Sequence, residues 1–170
     1  MITSLLNFIR SLFAILFPSK SSLQPVQPQP IVKTPPIVPT PASVVPAPLL
    51  FSIDQKIVQA FIMQESGGND NAFGDQGLTD HAYGCLQIRK PVCDDVNHRY
   101  GTAITAQQML GNRTLSIETF TRYMEIYCKS GSFEDMARTW NGGPGWRLHP
   151  TWTDIYWKEI QQKYNATPIV

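Results

Sequence analysis

Apolar positions recur at helical spacing through most of residues 51–165. Ser52 and Gln55 read as a capping box ahead of Ile53, Ile57, Val58, Phe61 and Ile62, predicting a helix that ends near Glu65 and Ser66. Thr105 with Gln108 predicts a short helix stopped by Gly111. Ser116 is placed to cap a longer one, whose stripe of Ile117, Phe120, Tyr123, Met124, Tyr127 and Cys128 ends at Gly131. Ser132 and Asp135 box the next, with Phe133, Met136, Ala137 and Trp140 on its apolar face, and it breaks at Asn141-Gly142-Gly143-Pro144-Gly145. A last helix runs from about Thr153 through Tyr156, Ile160 and Tyr164. No alternating strand of convincing length occurs, though the glycine-rich stretch after Glu65 has room for a short hairpin. The pattern predicts a mainly α, orthogonally packed small domain without internal repeats.

The first fifty residues follow a different pattern. Ten of the 14 prolines lie between Pro18 and Pro48. A stretch so poor in backbone donors and aromatic residues builds no core and reads as an extended polyproline-type linker over residues 18–50. At roughly 3.1 Å per residue it spans on the order of 95 Å when fully extended. Residues 1–17 form an apolar segment interrupted by Arg10. On a helical wheel Ser4, Asn7, Arg10, Ser11 and Ala14 share one side, and Leu5, Phe8, Ile9, Leu12 and Leu16 share the other. That division suits an interfacial membrane anchor or signal-anchor, with a cleaved signal peptide or an assembly-docking segment as the alternatives.

Charge and cysteine content narrow the function classes. Residues 1–50 carry Arg10, Lys20 and Lys33 and no acid, so residues 51–170 hold 11 basic and 13 acidic side chains, a net of −2. A weakly acidic domain lacks the basic face that nucleic acid requires. Cys85, Cys93 and Cys128 leave one thiol unpaired in any connectivity, and which of them pair stays open. Without a Cys-x-x-Cys, and with His81, His98 and His149 far apart in sequence, neither a metal site nor a cofactor is expected.

The chemistry centres on Glu65. It lies four residues after Phe61 and seven after Val58, so it continues the apolar face of its helix. Apolar surroundings favour the neutral form of a carboxyl group, which a general acid needs at neutral pH. The plain alternative is a helix-end glutamate bonded to the backbone of the following loop. Three short motifs stand in order around it: Glu65-Ser66, Gly84-Cys85-Leu86-Gln87 and Ala137-Arg138-Thr139-Trp140-Asn141-Gly142. Together they resemble the lytic transglycosylases of the soluble-transglycosylase type and the goose-type lysozymes. The resemblance runs from about Ile53 to Trp146 and implies a lysozyme-like domain over residues 51–165.

The resemblance also implies a reaction: cleavage of the β-1,4 bond between N-acetylmuramic acid and N-acetylglucosamine in peptidoglycan. Glu65 would protonate the glycosidic oxygen, then take a proton from the sugar's own 6-hydroxyl to leave a 1,6-anhydro product. That route needs no second carboxylate, whereas a two-carboxylate hydrolase does. Where related lysozymes carry a second acid, this chain has Arg89. Asp75 matches their loop aspartate and is the candidate for positioning a water, with Asp80 a less aligned substitute; Asx-turn chemistry in a glycine-rich loop is the alternative for both.

Further positions carry paired readings. Gln87 suits an N-acetyl group or the catalytic carboxyl, or else a buried amide satisfying backbone. Asn141 suits a sugar contact or a helix cap. Ser66 supports Glu65 or the loop, since no His–Asp pair surrounds it. Tyr83, Trp146 and Trp152 each have a flat apolar face to offer a sugar ring; aromatic residues at helical spacing more often pack a core, so Tyr83 alone is kept as the contact. Trp140 stands where the family usually has tyrosine, so hydroxyl support for Glu65 has to come from elsewhere. The expected partner is the peptidoglycan glycan strand, and the expected location is the cell envelope, tethered through residues 1–17 or exported. The rivals are a noncatalytic glycan-binding module and a virion-associated wall-degrading protein.

Overall fold

The computed structural model describes residues 51–128 and 130–168. The expected anchor over residues 1–17 and linker over 18–50 lie outside the described residues, among which no helix is long and apolar enough to cross a membrane.

Five α-helices and one short hairpin make up the described residues: α1 (Gln55–Ser66), β1 (Phe73–Gly74), β2 (Ala82–Tyr83), α2 (Lys90–Tyr100), α3 (Arg113–Tyr127), α4 (Phe133–Gly142) and α5 (Asp154–Ala166). A 3-10 turn, Ala106–Met109, precedes α3, and two more, Trp146–Leu148 and Pro150–Thr153, join α4 to α5.

Local chemistry accounts for most boundaries. Asp54, rather than Ser52, caps α1, accepting from the Lys56 amide at 2.7 Å. The helix ends where Gly67 turns left-handed (φ 65°), with the Gly67 and Gly68 amides returning to the Met63 and Ile62 carbonyls. Glu65 therefore sits in the last turn, immediately before the chain reverses. Asn112, four residues ahead of the expected cap, begins α3 by accepting from the Leu115 amide, and Ser116 lies inside the helix. Ser132 caps α4 as its box predicts, accepting from the Asp135 amide at 3.1 Å. The helix missing from the sequence reading is α2; only Cys93 and Val96 of its residues are buried, too few to print a periodic stripe.

The core gathers around α4. Phe61 of α1 meets Phe120 of α3 with ring centroids 4.7 Å apart, and the Trp140 indole lies edge-on to Phe61, Phe120 and Tyr123 at 6.5, 4.9 and 5.8 Å. Helix α5 packs along α1, where Gln64 donates to Glu159 at 2.9 Å. The hairpin pairs Phe73 with Tyr83 and Gly74 with Ala82, and a turn at Gly84–Gln87 folds Ile88 back against Tyr83. Gly84 is left-handed (φ 74°), and a Cβ there would lie 2.5 Å from the Met109 carbonyl oxygen, so this turn admits no side chain. Arg113 clamps the loop after α1 to the start of α3, pairing with Asp70 at 2.9 Å and donating to the Gly68 carbonyl at 2.8 Å.

Candidate active site

Glu65 is half-buried, and its Oε1 accepts two hydrogen bonds from distant parts of the chain. Trp140 Nε1 donates at 3.1 Å and the Tyr156 hydroxyl at 2.7 Å. Both donors are themselves immobilised: Trp140 by three edge-on aromatic neighbours, Tyr156 by its burial on the inner face of α5. A carboxyl oxygen gripped by two fixed donors has one orientation, and orientation is what proton transfer to a bound substrate requires. The support expected from elsewhere thus has two sources. The Trp140 indole supplies an N–H of its own, and Tyr156 supplies the phenol. In the sequence Tyr156 is one position of an apolar helical stripe. Nothing in a helical repeat tells which stripe residue turns a polar tip toward a carboxylate.

The other candidates take more local roles. Ser66 Oγ donates to the Ile62 carbonyl and accepts from the Gly68 amide, both at 3.2 Å, so it braces the turn behind Glu65. Gln87 holds the hairpin: its amide donates to the Gly84 carbonyl at 2.9 Å and the Ala72 carbonyl at 3.3 Å, while Oε1 occupies the space a Gly74 side chain would take. Its own backbone is left-handed (φ 51°). Asn141 is buried on α4 directly after Trp140. Tyr83 is buried, with its ring 5.3 Å from Phe73, and lines a pocket of about 280 Å³ together with Asp80, His81, Lys90 and Asp94.

Asp75 and Arg89 are bound to each other. Arg89 Nε donates to Asp75 Oδ2 at 2.9 Å and the guanidinium NH2 group contacts the same oxygen. The Asp75 side chain is only 3% exposed, and its Oδ1 is buried with no hydrogen-bond partner. Its backbone is left-handed (φ 57°), a conformation that aspartate tolerates better than most side chains. The residue standing in the second acid's place therefore also engages the remaining candidate.

All three cysteines are buried free thiols. Burial pushes the Cys93 thiol up to about 11, with Asp94 and Asp80 adding to the effect, and pushes Cys128 up to about 11 as well. Cys85 is raised by burial in the same direction. Such thiols are poor nucleophiles and poor metal ligands at neutral pH. Among the described residues no group of three or more His, Cys, Asp or Glu side chains is arranged to hold a metal ion.

Five helices with a short hairpin following the glutamate-bearing helix make a lysozyme-like fold, and solved structures share it. The chain resembles the lysozyme of Tapes japonica with a TM-score of 0.55 and 24% identity, over 65% of this chain and 89% of that one. It resembles the inhibitor-bound lysozyme from Meretrix lusoria with the same TM-score and coverage at 20% identity. No protein-family model and no curated protein matches the sequence.

Proposed function

We propose that this protein cleaves the β-1,4 glycosidic bond between N-acetylmuramic acid and N-acetylglucosamine in peptidoglycan, with Glu65 as its acid and base. The observation that carries this reading is the double anchoring of Glu65 Oε1 by Trp140 and Tyr156. The lysozyme-like fold and the three ordered motifs support it.

In the first half-reaction the Glu65 carboxyl gives its proton to the glycosidic oxygen as the bond from that oxygen to C1 breaks. The sugar passes through an oxocarbenium-like state. In the second, the Glu65 carboxylate removes the proton of the 6-hydroxyl as O6 bonds to C1. The product is a 1,6-anhydro end, and Glu65 regains its starting protonation. The capture of Asp75 by Arg89 supports this intramolecular route, because a buried carboxylate already held by a guanidinium is poorly placed to hold an attacking water.

Hydrolysis is the second reading. It is favoured by the likeness to proteins named lysozymes and by the unpartnered Oδ1 of Asp75. There Asp75 would position a water whose oxygen bonds to C1 and whose proton passes to Glu65. Digestion of purified sacculi followed by mass analysis of the muropeptides separates the two, since an anhydro end is one water lighter than a hydrolysed end. Glu65→Gln should abolish release altogether while the fold is retained; unchanged release would remove Glu65 from the mechanism. The apolar segment 1–17 and the proline-rich segment 18–50 support a placement at the cell envelope, with the catalytic domain held away from a membrane.

A further inference from the structure

The segment between α4 and α5 is attached at both ends to the Glu65 carboxyl group. It leaves α4 just after Trp140 and enters α5 just before Tyr156, and both of those side chains donate to Glu65 Oε1. The segment is built rather than loose. The Arg138 guanidinium donates to the Pro150 carbonyl at 2.9 Å and to Thr153 Oγ1 at 2.8 Å. Trp146 Nε1 donates to Asp135 at 3.2 Å. Thr153 presses its methyl against Gly142, where an added Cβ would lie 2.6 Å away.

Despite this anchoring, the segment exposes large apolar and aromatic side chains among its polar ones. Trp152 is 44% exposed and its indole stacks on the His149 imidazole, with ring centroids 4.1 Å apart and planes only 10° from parallel. Leu148 and Ile155 are exposed beside them in sequence. An exposed indole held flat by a stacked neighbour is a surface suited to an apolar ligand face. Trp152 lies in the 3-10 turn Pro150–Thr153 that runs directly into α5, four residues before Tyr156, so this surface adjoins the element that supports the proposed acid. Tyr83, the aromatic residue singled out from sequence for sugar contact, is by contrast buried against Phe73.

We propose that the Trp152–His149 pair is a carbohydrate platform on which a pyranose ring of the glycan strand stacks, next to the ring whose bond Glu65 breaks. A pyranose has a face of C–H groups and an equatorial rim of hydroxyls, so it suits a flat indole with water around its edge. The stacked imidazole holds the indole plane and reduces the ordering cost of binding. This inference rests on the glycan-cleaving reading above and assigns that site a subsite residue.

The test uses full-length Glu65→Gln protein, titrated calorimetrically with a soluble N-acetylglucosamine oligosaccharide. Trp152→Ala in that background should weaken binding about tenfold, and Trp152→Phe, which keeps a ring, by no more than about threefold. In the active protein Trp152→Ala should raise KM with little change in kcat, and circular dichroism should show the fold retained. Equal affinity with and without Trp152, or no oligosaccharide binding by the Glu65→Gln protein, overturns the platform. The two readings fail separately. If Glu65→Gln still releases muropeptides while Trp152→Ala loses binding, the platform stands and the acid assignment falls. If release depends on Glu65 and Trp152→Ala binds normally, only the platform falls.

Discussion

The Tyr156 hydroxyl donates to Glu65 Oε1 at 2.7 Å across 91 residues of sequence, joining the last turn of α1 to the inner face of α5. A hydrogen bond of this kind contributes on the order of 1 kcal/mol, and losing it also frees the proposed acid to rotate away from its productive orientation. Tyr156→Phe should therefore lower kcat for glycan cleavage about 10- to 100-fold with a smaller effect on KM. Steady-state kinetics on soluble glycan strands would check this. An unchanged kcat would mean that Trp140 alone suffices to hold the carboxyl.

Breaking the Asp75–Arg89 pair from one side should be costly. Arg89→Met leaves a buried carboxylate without its cation, which typically destabilises by about 3–5 kcal/mol. Adding Asp75→Asn to that variant removes the stranded charge and keeps a residue suited to φ 57°, so it should restore much of the loss. Urea denaturation of the two singles and the double measures the coupling.

The same aspartate discriminates the two reaction outcomes. If the product is anhydro, Asp75→Asn should leave the mass distribution of released muropeptides unchanged. If Asp75 positions water, the variant should lose most hydrolytic turnover. Mass analysis of digested sacculi reads both results at once.

Gly84→Ala should destabilise the hairpin by more than the roughly 1 kcal/mol expected of an ordinary left-handed glycine, because its Cβ would lie 2.5 Å from the Met109 carbonyl oxygen. Thermal unfolding should register a drop of several degrees, on the order expected for a domain of this size. Gly145→Ala, with open space around its Cβ, is the control and should move the midpoint far less.

Alkaline pH should weaken the fold through its buried thiols. Burial raises Cys93 and Cys128 from 9.0 to about 11. Below pH 9 both folded and unfolded states hold these protons, and stability does not depend on them. Between about 9 and 11 the unfolded chain loses its thiol protons first, so it binds fewer protons than the native state and stability falls as pH rises. Tyr127, pushed up to about 12 mainly by burial, extends the loss upward from about 10. Denaturation midpoints across this range should decline, and Cys93→Ser with Cys128→Ser should flatten the part below pH 10.

Much of this architecture is written locally. The Ser132–Asp135 cap, the stripe of α4 and the glycine stop after Glu65 depend on residues within a few positions of each other, so they are legible wherever the side chains occur in order. The motifs that singled out Glu65, Gln87 and Asn141 are equally local. Helix α2 escaped because it buries only Cys93 and Val96, leaving no stripe to read. The caps at Asp54 and Asn112 were displaced from Ser52 and Ser116 because several capping residues stand close together at each start, and tertiary packing chooses among them.

The helical character of the stretch from Gln55 to Ala166, and the place of Glu65 at the end of an apolar helix face, are legible without any structure. Hydrophobic period and capping chemistry act over a few residues and need no knowledge of the partner surface. What Glu65 touches depends on long-range packing. The Trp140 and Tyr156 donors and the Arg89 that captures Asp75 come from separate elements, and a hydrogen bond's direction depends on how those elements pack rather than on their spacing along the chain.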